Sequence, residues 1–108
     1  MHCEEAKGDV VKTVYVTIGN SDDKLTQSEW ACFQIDVHKD LMTATREFHG
    51  SWHSNPGAPW QNAAWCIVIP DGVDQALKAR LRVTASNYRQ DSIAWAEVPN
   101  VEFLKGNQ

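Results

Sequence analysis

The chain has 108 residues, 43% of them apolar and 22% charged, with a formal net charge of −4. That size and balance describe one compact soluble domain, large enough to bury a core without metal or disulfide staples, and exclude collagenous, coiled-coil and wholly disordered classes. Fourteen acidic against ten basic residues, with the lysines and arginines scattered rather than striped, argue against nucleic acid as a partner.

Residues 1–9 (MHCEEAKGD) are polar and aperiodic and read as a flexible leader. They lack the basic-then-apolar layout of a signal peptide, and no apolar run approaches the ~20 residues that a membrane span takes; the expectation is a cytoplasmic protein with no membrane partner. Residues 10–18 (VVKTVYVTI) alternate, with Val14, Val16 and Ile18 on one face and Thr13, Tyr15 and Thr17 on the other, and predict a first strand. Gly19 to Asp23 are five turn formers in a row and break it. Thr26-Gln27-Ser28-Glu29 then fits a capping box, with Leu25 and Trp30 placed as a hydrophobic staple, so a helix is expected over residues 27–42. Trp30, Phe33, Val37 and Leu41 form its apolar stripe, and Glu29, Asp36, Lys39 and Asp40 lie off it.

Alternation returns over residues 44–53 (ATREFHGSWH), with Phe48 and Trp52 on one face of a second strand and Glu47, His49, Ser51 and His53 on the other. Residues 54–59 (SNPGAP) cannot continue a ladder. Residues 62–69 (NAAWCIVI) are apolar on both faces, as in a central strand. Asp71 is the expected cap of a second helix whose Val73, Leu77, Leu81, Thr84 and Tyr88 share one side, with Lys78, Arg80 and Arg82 partly or wholly off it. Arg89, Gln90 and Asp91 link it to a last strand over residues 92–98 (SIAWAEV), stopped by Pro99. Residues 101–104 read as a short edge strand and 105–108 as a tail, so residues 10–104 make a single domain.

The order strand, helix, strand, strand, helix, strand predicts an α+β fold of the ferredoxin-like βαββαβ kind, a four-stranded antiparallel sheet with two helices on one face. That topology gathers three connections at one end, the usual place for binding chemistry on a rigid scaffold. The candidate ligand-binding residues are Asn20, Ser21, Asp22 and Asp23 of the first connection, Trp60, Gln61 and Asn62 of the second, and Arg89, Gln90 and Asp91 of the third. Arg89 has the planar fork that suits phosphate or carboxylate, with Asp22 or Asp23 as its alternative partner within the chain. Trp60 offers a stacking face, or a lid on its own domain, and Gln61 and Asn62 offer amides.

Three segments, IGNSDDKLTQSEW (residues 18–30), GSWHSNPGAPWQNAAW (residues 50–65) and YRQDSIAWAE (residues 88–97), resemble a family of small uncharacterised proteins from actinobacteria and their phages. The resemblance covers about a third of the chain and implies an actinobacterial or phage setting. It carries no activity and no residue roles.

Other chemistries compete. Asp22, Asp23 and Asp91 could gather Mg²⁺ for a metal-assisted phosphate hydrolase, against the plainer reading of Asp22 and Asp23 as an Asx turn beside a helix N-terminus. His49 and His53 lie two pleats apart, too far for one metal without ligands from elsewhere, and Ser21 and Ser54 have no base beside them. Cys3, Cys32 and Cys66 are odd in number and far apart, which argues against a disulfide framework or a structural zinc; Cys32 and Cys66 are expected as core thiols. The reading is a non-catalytic binding protein with a pocket for a small, flat, anionic, nucleotide-like ligand at the loop end of the sheet, with no cofactor. The alternative is a protein-interaction module such as a phage or host regulatory factor. Tyr15 and the two-sided apolar rows of the third and fourth strands leave an apolar sheet face away from the helices, so a homodimer is expected.

Overall fold

Val14 and Val16 are sealed from solvent while Tyr15 between them is 47% exposed, so the first strand, β1 (Val11–Gly19), buries one face and shows the other. The computed structural model describes residues 10–55, 58–99 and 102–106. The leader with Cys3, Pro56 and Gly57 of the second connection, Val101 of the expected edge strand and the last two residues lie outside the described residues.

Three further strands, β2 (Glu47–His53), β3 (Asn62–Pro70) and β4 (Ala94–Val98), complete an antiparallel sheet in the order β2-β3-β1-β4. β3 lies between β1 and β2 and is antiparallel to both, so β1 and β2 run parallel, the relation that a split βαβ unit requires. Two helices, α1 (Gln27–Met42) and α2 (Asp74–Asn87), touch each other and share one core with the inward rows of β1 and β3. The protein is therefore an α+β fold with both helices over one sheet face. Among the described residues no helix is long and apolar enough to cross a membrane.

α1 starts where its capping box places it. The Glu29 N–H donates to Thr26 Oγ1 at 3.1 Å, the Thr26 N–H donates to Glu29 Oε1 at 2.9 Å, and Leu25 and Trp30 are both buried. The stripe Trp30, Phe33, Val37 and Leu41 is the buried set of this helix, each such side chain contributing roughly 1.5–3 kcal/mol. Asp36 and Asp40, off the stripe, face α2 and not open solvent: Tyr88 Oη donates to Asp36 Oδ2 and Thr84 Oγ1 donates to Asp40 Oδ2.

The remaining elements depart from the sequence expectation in specific ways. The second strand starts at Glu47, three residues later than expected, because Ala44 and Thr45 turn their N–H groups back to the Leu41 carbonyl and finish α1. A bulge at His49 then shifts the register between Phe48 and Gly50. Phe48 pairs with Ile67 and Trp52 with Ala64, so the two aromatics expected on one face lie on opposite faces, Phe48 edge-on to the His38 ring of α1. Asp71 does not cap α2. Gly72, at φ 98°, carries the chain one residue further, Val73 takes the N-cap position without a side-chain bond, and Asp71 lies 3.7 Å from Lys12 Nζ. β4 starts at Ala94, and residues 102–106 form no strand. Cys32 is exposed and Cys66 half-buried on the sheet face away from the helices, so neither is a core thiol.

Thr26→Ala removes one arm of the capping box while leaving the core untouched. It is expected to cost about 1 kcal/mol, read as a lower urea midpoint with an unchanged slope.

Candidate functional site

The three connections do meet at one end of the sheet, and hydrogen bonds tie them together. The Asn20 N–H donates to the Gln61 carbonyl at 3.1 Å and Asn20 Nδ2 to Gln61 Oε1 at 2.9 Å, while the Ser21 N–H donates to Gln90 Oε1 at 3.2 Å. Asn20 and Gln90, each 7% exposed, are spent on these links. Asn20 Oδ1 accepts from the Leu25 N–H at 2.9 Å and Nδ2 also donates to the Leu25 carbonyl at 3.1 Å, which closes the first connection around one side chain. Gln90 Nε2 donates to the Tyr88 carbonyl at 3.1 Å. Gln61 exchanges bonds with Gln27 of α1, and the Asn62 N–H donates to Ser54 Oγ. Asn62 Oδ1 also lies 3.1 Å from where a Cβ on Gly19 would sit, so a larger residue there would make the Asn62 side chain shift by a few tenths of an ångström.

The charged members point outward. Arg89 pairs with Glu29 at 3.0 Å and not with Asp22 or Asp23, since the side chain leaves α2 towards the first turn of α1. The Thr26 N–H and then the Arg89 guanidinium hold the Glu29 carboxyl below its ordinary range. Asp91 lies 3.8 Å from Lys24. Asp22 and Asp23 are exposed and occupy a 3₁₀ turn with φ near 50°, a conformation that Asp tolerates better than most residues. Among the described residues no three His, Cys, Asp or Glu side chains converge as metal ligands, so Asp22, Asp23 and Asp91 do not form a cation site. Trp60 is 64% exposed and does not act as a lid.

Arg89 carries a second feature. α2 ends in a Schellman motif, with the Gln90 N–H donating to the Ala85 carbonyl at 2.9 Å and the Arg89 N–H to the Ser86 carbonyl at 3.0 Å. The residue at the left-handed position, φ 57°, is Arg89, where glycine is the usual occupant. The sequence carries no glycine there to signal the motif.

A groove of about 640 Å³ opens beside these loops, between α2 and the outer edge of β4. Lys78, Leu81, Arg82, Ala85 and Ser86 recur at helical spacing along the flank of α2 that faces it. Asp91 and Ser92 close one end, and Trp95, which pairs with Val16 and so points to the helix side, forms the far wall. Lys78 Nζ sits 5.0 Å from the Trp95 ring centroid, a cation held against an aromatic face. Gln90 and Asp91 are the expected site residues that reach this groove; Lys78, Arg82 and Trp95 were not among those candidates. The signal for them is the i, i+4 spacing of Lys78 and Arg82 beside the core stripe, together with the alternation that turns Trp95 inward. A second groove of about 610 Å³, at the opposite end, is lined by Pro70, Val73 and Leu77 with Arg46 and Arg80, and offers no aromatic face.

Arg89→Gly relieves the left-handed strain and loses only an exposed ion pair worth a few tenths of a kcal/mol. The protein is expected to gain about 0.5–1 kcal/mol by urea unfolding, whereas Arg89→Ala loses the pair and keeps the strain. A pH dependence follows from Tyr88, which stacks on Phe33 with centroids 4.9 Å apart and donates to Asp36 at 2.5 Å. The bond to Asp36, then burial, push its phenol up to about 12. An unfolded tyrosine titrates near 10, so this stabilisation is full below about pH 10 and is lost as the pH rises through about 12. The stability difference between the protein and Tyr88→Phe is expected to shrink across that window.

No family model matches the chain, and no curated protein matches it. Among solved structures it is similar to a DUF3240 family protein from Shewanella baltica, with a TM-score of 0.51 and 13% sequence identity over 89% of this chain and 97% of that one. At that identity the likeness is one of fold.

Proposed function

We propose that this is a non-catalytic binding protein that holds a small, flat, anionic ligand in the groove between α2 and β4, beside the loop end of the sheet. The observation that carries the reading is the company of Lys78 and Arg82 with the Trp95 indole along one groove. Two cations a helical turn apart favour a phosphate or carboxylate, and the indole supplies a face for a planar ring. Ser86 and Ser92 add hydroxyls that donate or accept. A volume of about 640 Å³ lies within the range of small-ligand sites. The cations, the indole and the hydroxyls supply binding contacts, and the reading assigns none of them a catalytic role. The exposed, unpaired thiol of Cys32 fits a reducing, cytoplasmic compartment.

Calorimetric titration with adenosine monophosphate, adenosine and inorganic phosphate tests the reading. The monophosphate is expected to bind more tightly than either of its parts. Arg82→Ala removes a charge-assisted contact of roughly 1.5–3 kcal/mol, which weakens binding about ten- to hundredfold. Stability should shift by less than about 0.5 kcal/mol, because Arg82 is exposed. Binding that ignores Arg82→Ala but falls with Arg89→Ala or Trp60→Ala would move the ligand to the loop tips, and the absence of binding by any planar anion would refute the function.

A further inference from the structure

The Trp95 indole is not free in the groove. Lys78 Nζ stands 5.0 Å from the ring centroid and reaches it from α2, so the face of the indole that looks across the groove is covered by a cation. The indole is tethered at its other end. Its Nε1–H donates to Glu97 Oε2 at 3.1 Å, Glu97 Oε1 lies 3.5 Å from Lys12 Nζ, and Lys12 bonds Asp74 at 2.6 Å. Lys78 has no comparable hold: among the described residues it forms no ion pair. Asp74, one turn earlier on α2, is within electrostatic reach, but its Oδ2 is bonded to Lys12 and its Oδ1 is buried. Of the two partners in the cation–π contact, the ammonium is therefore the one that moves.

We propose that Lys78 determines the specificity of this groove: its ammonium screens the Trp95 face and yields it only to a ligand that brings an anion together with its planar ring. The inference rests on the function proposed above for the groove and adds what the groove rejects. A neutral ring has to push the ammonium off the indole and offers it nothing in return. A cation–π contact at a partly exposed site corresponds to about a two- to fivefold change in an equilibrium constant, and the neutral ring bears that penalty in full. An anionic ring replaces the lost contact with a stronger one. Lys78 and Arg82 are one helical turn apart, about 6 Å along the axis, so one phosphate can bridge their side chains. Arg82 is exposed and forms no ion pair among the described residues, which leaves its guanidinium to anchor the phosphate. The flexible four-carbon stem of Lys78 then lets the ammonium swing from the indole to that phosphate without movement of the backbone. Ring and charge are read jointly, because the cation that rewards the charge is the same one that blocks the ring.

The test uses the full chain, unaltered and as Lys78→Ala, with adenosine monophosphate titrated directly and adenosine measured by competition against it. Lys78→Ala bares the indole, so adenosine is expected to bind about two- to fivefold more tightly. The same change takes one charge-assisted contact from the monophosphate, so the preference for monophosphate over adenosine is expected to fall about ten- to hundredfold. A gain in adenosine affinity cannot come from an unfolded chain, so it also certifies the fold of the variant. Lys78→Arg keeps a cation over the indole and is expected to hold the preference within about threefold. A lysine that only adds positive charge predicts no gain. If the monophosphate binds the unaltered chain but Lys78→Ala leaves adenosine unchanged or weaker, the screen is overturned and the function of the groove stands. Loss of the preference in Lys78→Arg overturns the screen equally. If the monophosphate does not bind the unaltered chain, the function proposed for the groove is refuted and the screen with it.

Discussion

Helices covering only one face of a four-stranded sheet are the constraint on which the other features rest. β1 and β3 supply the inward rows Val14, Val16 and Ile18 and Ala63, Trp65, Ile67 and Ile69, and the two helices seal them. Two helices side by side cover the middle of such a sheet better than its margins. At the β4 margin the covering thins to Trp95 and Lys78 meeting across the gap, and the groove is what remains. At the β2 margin Phe48 lies edge-on to the His38 ring, and nearly the whole strand stays exposed. The groove and the exposure of β2 are two results of the same arithmetic of layers.

The end of the molecule where the three connections meet is rigid for a different reason. A buried amide that lacks partners costs about 1–3 kcal/mol, so Asn20 and Gln90 are tolerable inside because the oxygen and nitrogen of each side-chain amide are engaged. The engagement has a functional price: an amide already bonded to Leu25, Gln61, Ser21 or Tyr88 has little left for a ligand. Side chains with spare capacity lie just outside this knot, on the flank of α2 and on β4. The knot fixes where α2 ends and β4 begins, and so sets the width of the groove between them.

What the sequence revealed and what it withheld divide along physical lines. The capping box at Thr26 and the stripe from Trp30 to Leu41 are local patterns, and α1 spans the 27–42 range expected of it. β1 and β3 were equally legible because their rows alternate or stay apolar throughout. The bulge at His49 was not, because an inserted residue leaves local alternation intact and shows only against the partner strand. The left-handed Arg89 was hidden because its usual marker, glycine, is absent. Of the residues that line the groove, the sequence reading named Gln90 and Asp91. It did not single out Lys78 and Arg82, since periodicity separates core from surface without saying which surface flank meets a neighbouring strand.

β4 shows how far two surfaces can be kept apart within five residues. Its pairing with β1 sends Trp95 and Glu97 towards the helices and Ala94, Ala96 and Val98 to the outer face. The Trp95 Nε1–H donates to Glu97 Oε2 at 3.1 Å, which ties the two inward side chains to each other along the strand. No side chain of β4 serves both faces, so a change in the groove and a change on the outer face act on separate sets of contacts. What they share is the backbone of an edge strand paired on one side, and that backbone is held in place by β1, the strand whose alternation organises the whole sheet.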